Sequence, residues 1–138
     1  MRDPRSRAIP LGLAAAAMLA ALLQRPGETS ADTKIDLHVD PVGFLGDVMS
    51  VWTNSGALGE VQGGQYAGYL FPMGPFFALG HLLGLPDWLV DRLWIGVILA
   101  LAAWGTVRLL DALMPGPRGA AHVVAGALMV FNPYTVVY

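Results

Sequence analysis

The chain contains no cysteine. That one absence excludes disulfides, zinc thiolates and cysteine nucleophiles, and it carries no information about redox compartment. Charge is nearly as scarce. Asp, Glu, Lys and Arg make up 13% of the residues against 55% hydrophobic, whereas a soluble domain carries about 25% charged residues. Its 138 residues would suffice for one soluble domain by length, but a soluble fold this poor in charge would struggle to cover its own surface. The net charge is −2, and no basic cluster beyond the N-terminal arm could track a phosphate backbone. Nucleic acid is therefore not an expected partner.

What the chain has instead is a set of long uncharged segments around a polar interruption at residues 32–75. Arg2, Arg5 and Arg7 stand against one acid, Asp3, and residues 8–24 then run 17 positions without a charge. A helix over that run rises about 26 Å, just short of a hydrocarbon core of about 30 Å. Pro10 is expected in its first turn, where a missing N–H costs little. Arginine before the run and acid after it place the N-terminus in the cytoplasm. A cleavable signal peptide is the competing reading, with Thr29 and Ala31 as the small residues before a cut at Asp32. The further apolar segments downstream favour a retained anchor.

Residues 25–31 form a short linker with Pro26 and Gly27. Residues 33–40 alternate: Lys34, Asp36, His38 and Asp40 fall on one face of an extended segment, and Ile35, Leu37 and Val39 on the other. Asp40-Pro41 is a helix start, because Asp caps and Pro suits the first helical position. Phe44, Leu45, Val48, Val51 and Trp52 then follow on one helical face, which predicts a short amphipathic helix over 41–52 lying on a membrane surface. The glycine-rich residues 53–64 read as loop. Residues 61–86 carry no charge, but Pro72 and Pro75 break their first half and Gly84-Leu85-Pro86 ends them. That pattern predicts a re-entrant or interfacial hairpin rather than a simple span.

A second span is expected over 88–114, with a charge-free middle at 93–107. Trp88 and Trp94 suit its outer interface. Residues 115–119 form a tight loop carrying Arg118, and residues 119–138 are uncharged again, a third span interrupted by Asn132-Pro133. Residues 25–91 hold eight acids and two bases, Arg25 and Lys34, while Arg2, Arg5, Arg7, Arg108 and Arg118 fall on the cytoplasmic side. The positive-inside rule is satisfied throughout. The fold class is therefore an all-α membrane protein, a polytopic helix bundle with an external loop containing interfacial helices. Its parts are a cytoplasmic arm and first transmembrane helix (1–24), the external loop (25–87), a second transmembrane helix (88–114), and a cytoplasmic turn with a third, truncated one (115–138). The chain stops within or just after an apolar span, which reads as a fragment of a longer polytopic protein.

Asp32, Asp36 and Asp40 follow the first span directly, at the level of the lipid headgroups. A carboxylate there can take a proton from an acceptor hydroxyl or hold a divalent cation. Spacing alone favours a plain solvated acidic loop, and three acids with a lone His38 do not make a metal motif. His81 and His122 stand isolated in apolar stretches and read as hydrogen-bonded helix residues. Gln65, Tyr66 and Tyr69 suit stacking on a sugar and hydrogen bonding to it, or an interfacial aromatic belt. Arg92 suits pairing with a lipid phosphate, or a local pair with Asp91 or Asp87.

Several runs in fixed order resemble the actinobacterial α-(1→3)-arabinofuranosyltransferase family. They are Asp32-Thr33-Lys34-Ile35-Asp36-Leu37 after the first span, Tyr66-Ala67-Gly68-Tyr69-Leu70-Phe71-Pro72-Met73-Gly74-Pro75-Phe76-Phe77, Gly80-His81-Leu82-Leu83-Gly84-Leu85-Pro86 and Arg92-Leu93-Trp94. The resemblance covers about residues 32–114. It implies a membrane enzyme of the glycosyltransferase C superfamily that builds cell-wall arabinan. It further implies a decaprenyl-phosphate-linked arabinofuranose donor, a cell-wall polysaccharide acceptor, and a multi-pass location in the plasma membrane with the active loop on the extracytoplasmic side. The family's catalytic acid in the first external loop maps onto Asp32, with Asp36 as second choice. Gly63-Gly64-Gln65-Tyr66 departs from the family's Asn-Gln-containing run, and Phe131-Asn132-Pro133-Tyr134 departs from its usual third span.

The implied chemistry suits the residues. A polyprenyl phosphate is a good leaving group, so the reaction needs a base for the acceptor hydroxyl and positive charge near the phosphate. Asp32 or Asp36 fits the first need, Lys34 and Arg92 the second, and Gln65, Tyr66 and Tyr69 the sugar. The residues name no cofactor, and the acids could carry a divalent metal. The rival reading is a non-catalytic polytopic component of cell-envelope assembly or transport, for which the acids would be dispensable. A secreted protein with a cleaved signal is disfavoured by the charge-free segments after Val61.

Overall fold

The computed structural model describes residues 4–29, 34–53, 58–61 and 68–132. Their elements are helices α1 (Pro4–Leu23), α2 (Ile35–Val39) and α3 (Pro41–Val48), the two-residue strands β1 (Trp52–Thr53) and β2 (Glu60–Val61), and helices α4 (Met73–Leu82), α5 (Asp87–Leu113) and α6 (Ala120–Val130). The chain divides into two units, one of residues 1–26 with 92–138 and one of residues 27–91.

In the first unit, α1 begins at Pro4, so Pro10 lies inside the helix rather than in its first turn. Its ring removes the bond to the Ser6 carbonyl, a break that an N-terminal start at Pro4 does not avoid. The apolar part of α1, Ala8–Leu23, and α6 are both shorter than a span. α5, at 27 residues and a mean hydropathy of 1.9 in its most apolar stretch, has the length and composition to cross a membrane. Only 17% of that stretch is buried, where the core helix of a soluble protein would be mostly enclosed. α6 stops at Val130. The Asn132 amide donates to the Met129 carbonyl at 2.9 Å, and a residue before proline disfavours helix. The remainder of the expected third span, 133–138, lies outside the described residues.

The packed seam of this unit is built from small residues. Ala17, Ala103 and Val107 are fully enclosed with Leu13 and Val130, and Ile9, Leu99, Ala100 and Ala127 pack around them. Gly126 lies directly against Leu13, and a Cβ on Gly96 would stand 2.6 Å from the Met18 sulfur. Leu11, Leu19, Leu23, Ile98, Leu101, Leu109 and Leu128 point outward instead. Small residues at the seam and large apolar ones outside are how helices associate in lipid, where close backbone approach replaces the hydrophobic effect.

The turn between α5 and α6 is tied by charge. Arg118 Nε and Nη2 donate to the two Asp111 carboxylate oxygens at 2.9 and 2.6 Å, and that carboxylate holds the guanidinium above its ordinary pKa. The Gly119 N–H donates to His122 Nδ1 at 3.3 Å. His122 is thus a hydrogen-bonded helix residue, as its isolation suggested. Its Nε2 lies 3.5 Å from Asp111 Oδ1.

The second unit departs from the sequence reading in three places. Residues 35–39 are helical, not extended, with the Asp40 N–H returning to the Asp36 carbonyl at 2.9 Å. Leu37 and His38 therefore face inward together, and His38 does not share a face with Asp36. A polar–apolar alternation this short is compatible with one helical turn. The buried set Leu37, His38, Pro41 and Phe44 follows helical spacing across the break at Asp40. Second, α3 ends at Val48 instead of 52. The Ser50 hydroxyl donates to the Trp52 carbonyl at 2.7 Å, a local bond that competes with helix. Third, the expected loop opens with an antiparallel pair, Trp52 opposite Val61 and Thr53 opposite Glu60.

The helix start at Asp40-Pro41 is as the sequence indicated. Asp40 Oδ1 accepts from the Gly43 N–H at 2.9 Å, and Pro41 occupies the first helical position. The break after α4 is as well. The Gly84 N–H bonds the His81 carbonyl at 2.9 Å and the Leu85 N–H bonds the Gly80 carbonyl at 3.1 Å. Gly84 sits at φ +69°, the left-handed C-terminal cap that glycine alone adopts cheaply. α4 rises about 15 Å and is too short to span. It packs on α3 and α2 through Gly74, which lies against Leu45 and the Tyr69 carbonyl.

Candidate active site

α2 presents the candidate acid. Its five residues would not hold a helix alone, so packing must fix it. Leu37 is fully buried, and His38 is 6% exposed with its ring edge-on to Phe77 of α4, centroids 5.0 Å apart. Among the described residues, neither His38 nitrogen has a hydrogen-bond partner; the imidazole serves as an aromatic packing piece. Opposite them, Asp36 in the first turn and Asp40 at its end are exposed. Lys34 is half-buried, its carbonyl accepting the Leu37 N–H at 3.0 Å. The two exposed acids differ in employment. Asp40 closes over Gly43 as a cap, and a Cβ at position 43 would collide with that carboxylate. The Asp36 side chain is exposed on its helix.

Tyr69 lies in a short turn before α4, half-buried, with its ring edge-on to Phe44 of α3 at 5.9 Å. The second unit thus brings Lys34, Asp36 and Tyr69 onto one small scaffold of α2, α3 and α4. Asp32, Gln65 and Tyr66 lie outside the described residues. Arg92 belongs to the other unit, in α5, and is 2% exposed. Among the described residues, no three His, Asp or Glu side chains converge as metal ligands would. The sequence reading missed the His38–Phe77 contact, because alternation placed His38 on the polar face. The helical spacing of 37, 38, 41 and 44 was the signal that could have found it.

Small residues inside, large apolar side chains outside and a span-length helix fit a membrane protein. Residues 16–138 match the family model for the N-terminal GT-C domain of alpha-(1->3)-arabinofuranosyltransferase, and the chain belongs to that family. It is 42% identical over 114 residues to the alpha-(1->3)-arabinofuranosyltransferase of Mycobacterium tuberculosis, covering 83% of this chain. It is 39% identical over 121 residues to the one from Mycolicibacterium smegmatis, covering 88%. The structure resembles the single-particle cryo-EM structure of the mycobacterial arabinofuranosyltransferase AftD, with a TM-score of 0.79, 38% identity and 90% of this chain covered. A mutant of AftD gives a TM-score of 0.81 over 92% of the chain. The matched region spans 8% of each of the two relatives and 9% of the AftD chain.

Proposed function

We propose that this chain is the N-terminal part of a multi-pass plasma-membrane glycosyltransferase. It transfers arabinofuranose from a decaprenyl-phosphate-linked donor to a cell-wall arabinan or other polysaccharide, on the extracytoplasmic side. The observation that carries the reading is the family match over residues 16–138, which contains the carboxylate-bearing segment. The pinned α2 helix supports it, since it holds Asp36 outward on a scaffold that cannot easily turn.

In this reading Asp32, or Asp36 as second choice, accepts the proton of the acceptor hydroxyl as its oxygen bonds to the anomeric carbon. The bond from that carbon to the phosphate oxygen breaks, and the polyprenyl phosphate leaves with the electron pair. Lys34 and Arg92 are the candidate partners of the phosphate. Lys34 is the more accessible, since Arg92 is enclosed. Gln65, Tyr66 and Tyr69 are the candidates for holding the sugar; Tyr69 is already oriented by Phe44. The test is transfer of labelled arabinofuranose from a synthetic polyprenyl-phosphate donor to an arabinan acceptor, by the whole product of the reading frame in lipid nanodiscs. Donor-dependent label in the acceptor is expected. Intact protein that never labels any acceptor would favour a non-catalytic envelope component.

A further inference from the structure

We propose that His38 is a pH-sensitive pin: it holds α2 in place only while its imidazole is neutral, so that acidification releases the helix that carries Asp36. The pin stands on packing alone. Its effect on chemistry rests on the glycosyl-transfer reading and adds a regulation to that site. The five residues of α2 cannot hold a helix by themselves. Two inward side chains, Leu37 and His38, attach it to α3 and α4. Leu37 is apolar at any pH, whereas His38 can gain a charge. Its ring meets Phe77 of α4 with centroids 5.0 Å apart and planes at 86°. Both of its nitrogens are enclosed without a hydrogen-bond partner among the described residues.

A proton on that ring would create a cation shut off from water. Burying a charge is costly unless a countercharge meets it, and the helices packed around His38 bury none. On α2 itself Asp36 is exposed, and Lys34 before it is half-buried and has the same sign as an imidazolium. On α3, Asp40 is exposed and turned to the Gly43 N–H, and Asp47 is exposed. On α4 the titratable residue is His81, exposed in the last turn. The Phe77 ring attracts a cation only weakly by comparison with the hydration lost. A protonated imidazole is therefore stabilised by leaving the interface, and α2 leaves with it. Proton uptake accompanies release, so release grows as pH falls and α2 is pinned again as pH rises. An imidazole in water takes up its proton near about pH 6.5. Below that, the ratio of pinned to released α2 is expected to fall by up to about tenfold per pH unit.

Amide hydrogen exchange across residues 35–39 reads the pin directly, in the whole product of the reading frame in lipid nanodiscs. Each rate is divided by the intrinsic exchange rate at that pH. Between about pH 7.5 and about pH 5, wild-type protection is expected to fall roughly tenfold or more. His38→Leu and His38→Met fill the space without titrating and should stay protected throughout. If one of the two fails to insert, the other decides. Flat protection in the wild type overturns the pin, and so does a fall in the variants that matches the wild type. Protection already lost at neutral pH in both variants overturns it as well, because the imidazole would then be needed as a polar group. Arabinofuranose transfer by the same proteins separates the pin from the chemistry. The wild-type rate should fall with the protection, and His38→Leu should keep its rate to lower pH. A transfer profile that His38→Leu leaves unchanged, beside pH-dependent protection, overturns the link to the site. Such protection with no transfer at any pH overturns the glycosyl-transfer reading and leaves the pin standing. Transfer with flat protection overturns the pin alone.

Discussion

Asp36 and Asp40 are four residues apart, both exposed, and chemically identical, yet their backbones give them different work. Asp40 accepts the Gly43 N–H and starts α3. Removing such a cap costs about 1 kcal/mol. Asp40→Ala should lower thermal stability by that amount, and Asp40→Ser, which still caps, should restore it. Unchanged stability with lost transfer would instead move Asp40 into the chemistry. His38 makes the complementary point. It is buried against Phe77 with no hydrogen bond to either nitrogen among the described residues, and an apolar replacement of similar size removes an unsatisfied polar group. His38→Leu is therefore expected to hold or raise stability, while His38→Ala should lower it by roughly 1–3 kcal/mol. Denaturation of the two variants checks this, and a large loss in His38→Leu would reveal a polar role. The cap was legible in the sequence because capping is decided within four residues. The burial of His38 was not, because it depends on Phe77, thirty-nine positions along the chain.

At the level of elements, the long and punctuated ones were readable and the short ones were not. α5 follows from its uncharged run, and the end of α4 from Gly84-Leu85-Pro86. α2 was hidden because one helical turn and a short strand present nearly the same alternation. The strand pair has two residues on each side, too few for a period to show. The early end of α3 rests on the Ser50 hydroxyl, a local competitor that hydrophobic spacing does not register. The α4–α5 connection offers a direct test of packing. A Cβ on Gly80 would stand 2.5 Å from a Val90 methyl. Gly80→Ala should cost roughly 1–3 kcal/mol through overpacking, and adding Val90→Ala should recover much of it, a coupling readable in a double-mutant cycle. Additive losses would show that the two residues do not meet.

For the whole molecule, the membrane setting and the family are the firmest results, and sidedness and chemistry are the proposals that follow. Sidedness rests on the distribution of arginine. The chain has no native cysteine, so Ser55→Cys should react with an impermeant thiol reagent added outside cells, and Pro117→Cys only after the membrane is opened. The reverse pattern would put the acids in the cytoplasm, away from an extracytoplasmic donor. The candidate site was proposed only by resemblance: Asp32 and Asp36 look like loop surface from spacing alone, and the pinning of α2 emerges only with the tertiary contacts. The most direct measurement is arabinofuranose transfer from the polyprenyl-phosphate donor by Asp32→Asn, Asp36→Asn and Asp47→Asn variants, each with membrane insertion verified. Asparagine keeps the size but cannot take the proton, and loss of a general base costs about 10²–10⁴-fold in rate. Asp32→Asn should lose transfer by that factor, Asp36→Asn by less, and Asp47→Asn, on the exposed side of α3, should transfer like wild type. Loss in Asp36→Asn alone would move the base from Asp32 to Asp36. Wild-type transfer by both Asp32→Asn and Asp36→Asn would contradict the account and reduce the acids to solvated surface.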